Sequence, residues 1–559
     1  MAAFTAAACG AAPPATGLAD LVIVNGRVFT ADDQGTMAQA VAVAGNTILR
    51  VGSDADVSEL RGPATRVIDA RGATVVPGFN DSHVHFMSGG QTLDDVDLAG
   101  LMTLPQVQDA IRAFATAKSD ATWVKGRGWL YAPFPGGTPT KAQLDAVVPD
   151  RPAMMTCYDG HSIWVNSKAL AMAGITKDTP NPVNGEIVKD PRTGEPTGHL
   201  KESATDLVTN VMPKATDADR RAALRAAVAH AHSFGVTSVQ NAGGDPGEID
   251  LYDQARRAGE LQVRTYLAFS VTADTTETDI DRMDGMWKRT GDDPILKTGA
   301  VKIYSDGVIE SRTAAMLAPY EHAGPGADHS GTLNLAPADL NRVVAMVDKR
   351  GWQVMIHAIG DRAIRAALDA FEHAASVNPM PARGRRHRLE HIETIDAADI
   401  PRFAQLGVMA SQQPMHVPLG DMNSAKPSGP WPDNIGPDRF SRAWVWKSIH
   451  DAGGRLTFGS DWPVAPLSAG LGLWVATTRT GPPNAADQRL SMSDAIKAYT
   501  SWPAYASFED QRKGTLAAVM LADIVILSRD LMSPPPVTAD DVVVQTTIFD
   551  GKIVYERPR

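Results

Sequence analysis

The sequence predicts an α/β chain: a (β/α)8 TIM barrel with a composite β-sandwich from both termini and an insertion after the first barrel strand. Three observations lead there. Between residues 77 and 510, β-rich runs alternate with helical ones, the rhythm of parallel strands joined by helical crossovers. The strand-like runs number eight: "GFNDSHVHF", "GVTSVQNAG", "VRTYLAFS", "AVKIYSDG", "WQVMIHAIG", "HRLEHIE", "GVMASQQP" and "LTFGSDWPV". A texture of short β-rich runs broken by Gly-containing turns occurs at both ends of the chain.

Residues 1–19 read as a tail. In "MAAFTAAACGAAPPATG", small residues lead to Cys9 and a Pro/Ala spacer, which resembles the end of a bacterial lipoprotein signal without its basic and apolar parts. Two readings stay open: a disordered tail on a cytoplasmic protein, or the remnant of an export signal with Cys9 as lipid anchor. Residues 20–76 form the first part of the sandwich, because "DLVIVNGRVFTAD", "AVAVAGNTILRVG" and "TRVIDARGATVVPGF" carry Asn-Gly, Gly-Asn and Arg-Gly hairpin signals. Residues 77–510 are the barrel, its rhythm broken at about 87–215 by the insertion. Helices are expected in "DADRRAALRAAVAHAHSF", "APADLNRVVAMVDKR", "DRAIRAALDAFEHAA" and "SRAWVWKSIHDAG". Residues 511–559 close the sandwich with "ADIVILSRD" and "VVVQTTIFDGKIVYERP".

With 559 residues, 43% hydrophobic and 21% charged, the composition is that of an ordinary globular protein. A net charge of −11 without a basic stripe argues against nucleic acid as partner. No apolar run reaches the roughly 20 residues that span a bilayer, so the chain reads as soluble. The two cysteines, Cys9 and Cys157, are too few for a disulfide framework or a thiolate zinc site. Any metal must therefore be held by His, Asp, Glu or a modified Lys.

The polar residues at the strand ends supply such a set. Residues i and i+2 of a strand share a face, so His83 and His85 converge at the barrel mouth. His357 and His391 each end a later β-rich run, Asp461 ends the last one, and Lys302 stands at the corresponding place in "GAVKIYSDG". Barrel chemistry lies at the C-terminal ends of the strands, and imidazole with carboxylate suits zinc with an open position for water. His230, His232, His373, His387 and His450 are taken as structural.

"PGFNDSHVH", "GRGW", "DGHSIWVNSKAL", "VKIYSDGVIESRTAAML", "IHAIGDRAI", "RLEHIE", "GSDWPV" and "GTLAAVMLADIVIL" together resemble the amidohydrolase superfamily, and within it amidohydrolase family 3, the branch with N-substituted formamide deformylase-like enzymes. The likeness runs from about residue 20 to 557. It implies a metal-dependent hydrolase cleaving an amide-type C–N bond of a small molecule. The implied ligands are His83, His85, His357, His391 and Asp461, and Lys302 matches a position where some members carry a carboxylated lysine bridging two metals. One or two zinc ions are thus expected, two if Lys302 is carboxylated; a plain lysine paired with Asp306 is the other reading. Asp461 would be ligand and acid/base together, passing the proton of the attacking water to the leaving amine. His161, in the insertion, is a candidate carbonyl polariser or else a packed histidine. Trp129, Tyr304, Arg312 and Trp462 are candidate pocket walls, or core aromatics and a salt-bridged arginine. A ring-amidine deaminase on the same barrel and a catalytically inactive, metal-stabilised binding lipoprotein remain alternatives. A homodimer is the default for a soluble oligomer.

Overall fold

A strand whose every side chain is apolar or internally paired has no face for water, and it needs neighbours on both edges and cover on both faces. Among the described residues, one sheet is built of eight strands that are almost wholly of this kind. In the computed structural model, which describes residues 17–321, 329–417, 429–479, 485–532 and 538–558, they are β1 (Phe79–Val84), β2 (Val236–Asn241), β3 (Arg264–Ser270), β4 (Leu296–Tyr304), β5 (Gln353–Ala358), β6 (Arg388–His391), β7 (Met409–Gln412) and β8 (Arg455–Phe458). They lie side by side in sequence order, each parallel to the next. The eight strands read from the sequence are these eight. Residues 1–16, with Cys9, lie outside the described residues.

The sheet is nearly closed. Between β1 and β8 the seam is held just past the end of β8, where the Asp461 amide donates to His83 O at 2.7 Å and the His85 amide to Trp462 O at 2.7 Å. Asp81 reinforces it: each of its carboxylate oxygens lies 3.0 Å from the Ser460 amide, and Oδ1 also accepts from the His83 amide at 3.1 Å. Gly459 permits this approach, since a Cβ there would stand 2.5 Å from the His83 nitrogen.

Helices pack between successive strands. Asp217–Ser233 and Glu277–Thr290 begin with reciprocal capping boxes, Thr216 with Asp219 and Thr276 with Asp279. Pro337–Lys349 and Asp361–Val377 follow the predicted boundaries closely. The stretch at 441–453 does not: its helix is only Trp446–Asp451. Arg479 donates to Ala443 O and Trp444 O at 3.0 and 2.8 Å, and those carbonyls are thereby withdrawn from helical bonding.

Three further sheets surround the barrel. A six-stranded sheet built from residues 96–202 lies between β1 and β2 in the chain. A four-stranded sheet contains Ala19–Val24, Ala40–Ala44, Thr47–Gly52 and Arg61–Asp69. A six-stranded one pairs the N-terminal Thr74–Pro77 antiparallel with the C-terminal Ile524–Leu527. Its last hairpin, Val544–Phe549 with Lys552–Glu556, turns through Asp550 and Gly551, both at positive φ, as a two-residue hairpin requires. Among the described residues, no helix is long and apolar enough to cross a membrane.

The C-terminal strands are tied to the barrel by charge. Arg264, the first residue of β3, is 1% exposed and grips Asp523 through two bonds of 2.6 and 2.9 Å, with a third to Asp550 at 2.9 Å. Removing one partner of a buried pair strands the other charge. Arg264→Leu should therefore cost about 3–5 kcal/mol of stability, read as a lower denaturant midpoint; an unchanged midpoint would show that this junction is not needed.

Candidate metal centre

His83 closes β1 facing inward, and its orientation is set from below. Glu390 on β6 places Oε2 2.6 Å from His83 Nδ1, and Arg388 fixes that carboxylate with bonds of 2.9 and 3.0 Å. Arg388 is itself tied to Ser82 O, Ser411 Oγ and Gln240. All of this is buried. Burial raises the pKa of Glu390, but Arg388 and then His83 outweigh it and hold the carboxyl down at about 2. An ionised carboxylate only accepts, so His83 Nδ1 bears the proton and Nε2 presents a lone pair.

That lone pair faces other acceptors. His83 Nε2 stands 3.4 Å from Asp461 Oδ1, and His85 Nε2 stands 3.2 Å from the same oxygen. His391 Nδ1 is 3.9 Å from Asp461 Oδ2. Donor atoms of His83, His391 and Asp461 all lie within 4.8 Å of one another. The His391 and His357 rings are 4.5 Å apart, and His357 Nε2 is turned to Gly307 O at 3.1 Å, leaving Nδ1 as its free lone pair. His391 Nδ1 and Asp461 Oδ1 are buried without a hydrogen bond, a costly state for polar atoms. A cation between these groups would satisfy them all. The donor set, imidazole and carboxylate, fits a divalent metal.

Electrostatics agree. Burial pushes the pKa values of His83, His357 and His391 down, His83 to about 4, so all three imidazoles are neutral, as ligation demands. His391 and Asp461 both adopt positive φ, 75° and 58°, conformations that L side chains rarely take and that cluster at functional sites.

Lys302 on β4 is fully buried, its Nζ 3.4 Å from both His83 Nε2 and Ala242 O and 4.5 Å from the Tyr304 ring centre. Burial lowers its pKa to about 8 against the opposing pull of Glu390 and Asp461. Asp306 is not its partner: that carboxylate accepts from the amides of Ala315, Ile359 and Gly360.

The centre opens into a cavity of about 800 Å³. His161 lines it, with its ring 6.3 Å from that of His357 and its Nδ1 2.9 Å from Glu202 Oε2. Burial would lower its pKa, but the Glu202 hydrogen bond and charge, joined by Asp159 and Glu310, lift it to about 9. His161 is thus an imidazolium at neutral pH. Tyr304 also lines the cavity. The other proposed walls do not. Trp129 is 0% exposed, donates to Met155 O and packs against Tyr131, Phe134 and His199. Trp462 stacks on His230 and holds the seam. Arg312 donates to Asn434 at 2.7 Å beside a neighbouring hollow. The structural reading of His232 and His387 agrees with their bonds to Gln262 O and Asp348. Sequence reasoning missed Glu390, although it stands next to His391 in "RLEHIE". It also missed His416, Glu393, Glu310 and Asp159, which line the cavity from loops without periodicity.

Comparison with known proteins completes the picture. The model of a family described as "Amidohydrolase family" matches residues 66–555. The chain is 32% identical to a putative amidohydrolase, YtcJ, of Bacillus subtilis (strain 168), across 95% of this chain and 99% of that protein. It is 28% identical to an N-substituted formamide deformylase of Arthrobacter pascens, across 97% and 99%. The crystal structure of an uncharacterized metal-dependent hydrolase from Pyrococcus horikoshii OT3 superposes with a TM-score of 0.71 at 24% identity, covering 92% of this chain and 98% of that one. The chain belongs to the amidohydrolase family and is a hydrolase of carbon–nitrogen bonds.

Proposed function

We propose that the substrate is a small amide-type molecule and that the metal is zinc, held by His83, His85, His391 and Asp461, with His357 and Lys302 on the side of a second ion. The observation that carries this reading is the gathering of donor atoms of His83, His391 and Asp461 within 4.8 Å of one another, with His391 Nδ1 and Asp461 Oδ1 buried and without a hydrogen bond. Zinc, when bound, supplies acidification of a water and polarisation of a carbonyl. The remaining steps belong to the chain. Asp461 takes the proton of the attacking water and returns it to the leaving nitrogen, which without it would depart as an unstable amide anion. The His161 imidazolium points its charge into the cavity, where it stabilises negative charge growing on the carbonyl oxygen. Lys302, with an amine that burial makes partly neutral, adds CO2 through a new N–C bond, releases one N–H proton to solvent and becomes a carbamate, which offers two oxygens in place of a repelled ammonium. The similarity to a formamide deformylase makes N-formyl amines a first substrate class to try.

Two structural readings accompany the proposal. The four-stranded sheet and the mixed six-stranded sheet are taken as one sandwich, supported by a shared cluster of Leu21, Val41 and Val43 with Val75, Ile524 and Ile548. Residues 87–215 are taken as an insertion that roofs the barrel mouth, supported by the cavity-lining Tyr131, Tyr158 and His161.

Asp461→Asn tests the proton transfer. On a panel of N-formyl amines, N-acyl amino acids and cyclic imides, the zinc-loaded variant should lose about 10²–10⁴-fold in kcat on whatever the native enzyme turns over. Near-native turnover would remove Asp461 from that role.

Glu202→Gln tests His161. The charged form of His161 exists below about 9, so activity should fall as pH rises through that value. Loss of the Glu202 charge should move this alkaline limb down by about one to two pH units, and a limb that stays in place would contradict the assignment.

A further inference from the structure

Arg127 is the residue of the "GRGW" motif that the mechanism leaves unused. It sits on the strand Val124–Trp129 of the six-stranded sheet built from residues 96–202, and it lines the metal-centre cavity. The strand is held flush against its neighbours on both sides of it. A Cβ on Gly126 would meet Val96 Cγ1 at 2.4 Å and Met155 Sδ at 2.6 Å, and Gly128, at φ +86°, stands 3.0 Å from the Ala99 amide by the same measure. At Gly128 the pairing with Ala153–Cys157 slips by one residue, Arg127 opposite Thr156 and Trp129 opposite Cys157. Such bulges re-aim side chains beside active sites. Here the bulge sends Trp129 into the core and leaves Arg127 half-buried at the cavity wall.

Among the described residues, no hydrogen bond, ion pair or ring contact engages the Arg127 side chain. Its nearest sequence carboxylates are used elsewhere: Asp95 pairs with Lys125 at 2.8 Å, and Asp97 accepts from the Ala99 amide. The carboxylates on the cavity wall also have their own donors. Asp159 takes Tyr131 OH, Glu310 takes Tyr158 OH, and Glu393 takes Trp431 Nε1, at 2.9, 2.9 and 2.8 Å. A half-buried guanidinium that faces a cavity with no hydrogen bond or ion pair to its own protein's carboxylates is a fork prepared for a planar anion from outside.

We infer that Arg127 binds a carboxylate carried on the substrate, so that the enzyme acts on amides with one arm ending in a free carboxyl group. This inference rests on the amide-hydrolase reading above. A single negative charge suits the cavity better than a phosphate, because Asp159, Glu393 and Asp461, which also line it, would repel a second charge. The cavity, about 800 Å³, has room for a carboxylate, the scissile amide and an acyl group together.

The test uses the zinc-loaded enzyme and a matched panel of N-formyl and N-acetyl amino acids, each beside its neutral carboxamide, assayed in the native protein and in Arg127→Met. The native enzyme should prefer the carboxylates. Arg127→Met should lower kcat/KM for them by roughly 10- to 100-fold, mainly through KM, while the carboxamides change little and zinc content stays the same. Equal losses on both series would make Arg127 a stabiliser of the reacting carbonyl and overturn the proposal, as would a native preference for the carboxamides. If the native enzyme turns over neither series, the substrate reading falls separately, and calorimetric binding of the N-acetyl amino acids still decides this one. Binding lost in Arg127→Met upholds the carboxylate site; binding that is absent from the native enzyme, or that persists in the variant, refutes it.

Discussion

The seam where β8 meets β1 is the constraint on which the rest depends. A parallel barrel brings the ends of its strands to one mouth, but it puts the first and last strands side by side only if the ring closes. Here closure relies on two backbone hydrogen bonds, on Asp81 reaching across to Ser460, and on a glycine that leaves no Cβ in the way. The residues that make the seam are the neighbours of His83, His85 and Asp461. The contact that closes the barrel is therefore also the one that brings together half of the proposed metal ligands.

Beneath the seam runs the buried chain Gln240, Arg388, Glu390, His83. An isolated carboxylate in that interior would protonate or force the strands apart. Arg388 keeps it ionised, and its charge then selects the His83 tautomer with the lone pair directed upward. The burial that makes such a network costly also keeps His83, His357 and His391 neutral, and it brings Lys302 toward the neutral amine. Structural burial and chemical competence have one physical origin here.

What could be read from the sequence divides along the same line. The eight barrel strands and the inward-facing His83, His85, Lys302, His357, His391 and Asp461 follow from residue type and strand position, which local pattern records. Glu390 was hidden because its role depends on β6 lying across from β1, a contact between residues 307 positions apart. His416, Glu393 and Asp159 come from loops, where no period marks a direction. Trp129 was misplaced for a specific reason: strand alternation puts it on the face of Arg127, and the bulge at Gly128 reverses that. The short helix near 446 illustrates another limit, because the Arg479 side chain takes its carbonyls from 36 and 35 residues away.

The central claim is that barrel closure gathers His83, His391 and Asp461 around a metal. Diffraction from crystals of the zinc-loaded enzyme, recorded on both sides of the zinc absorption edge, measures this directly. The account predicts an anomalous peak between His83 Nε2, His391 Nδ1 and the Asp461 carboxylate, with a second peak beside Lys302 accompanied by carbamate density on its Nζ. Stoichiometric zinc bound elsewhere on the protein, with no peak among those three residues, would contradict it.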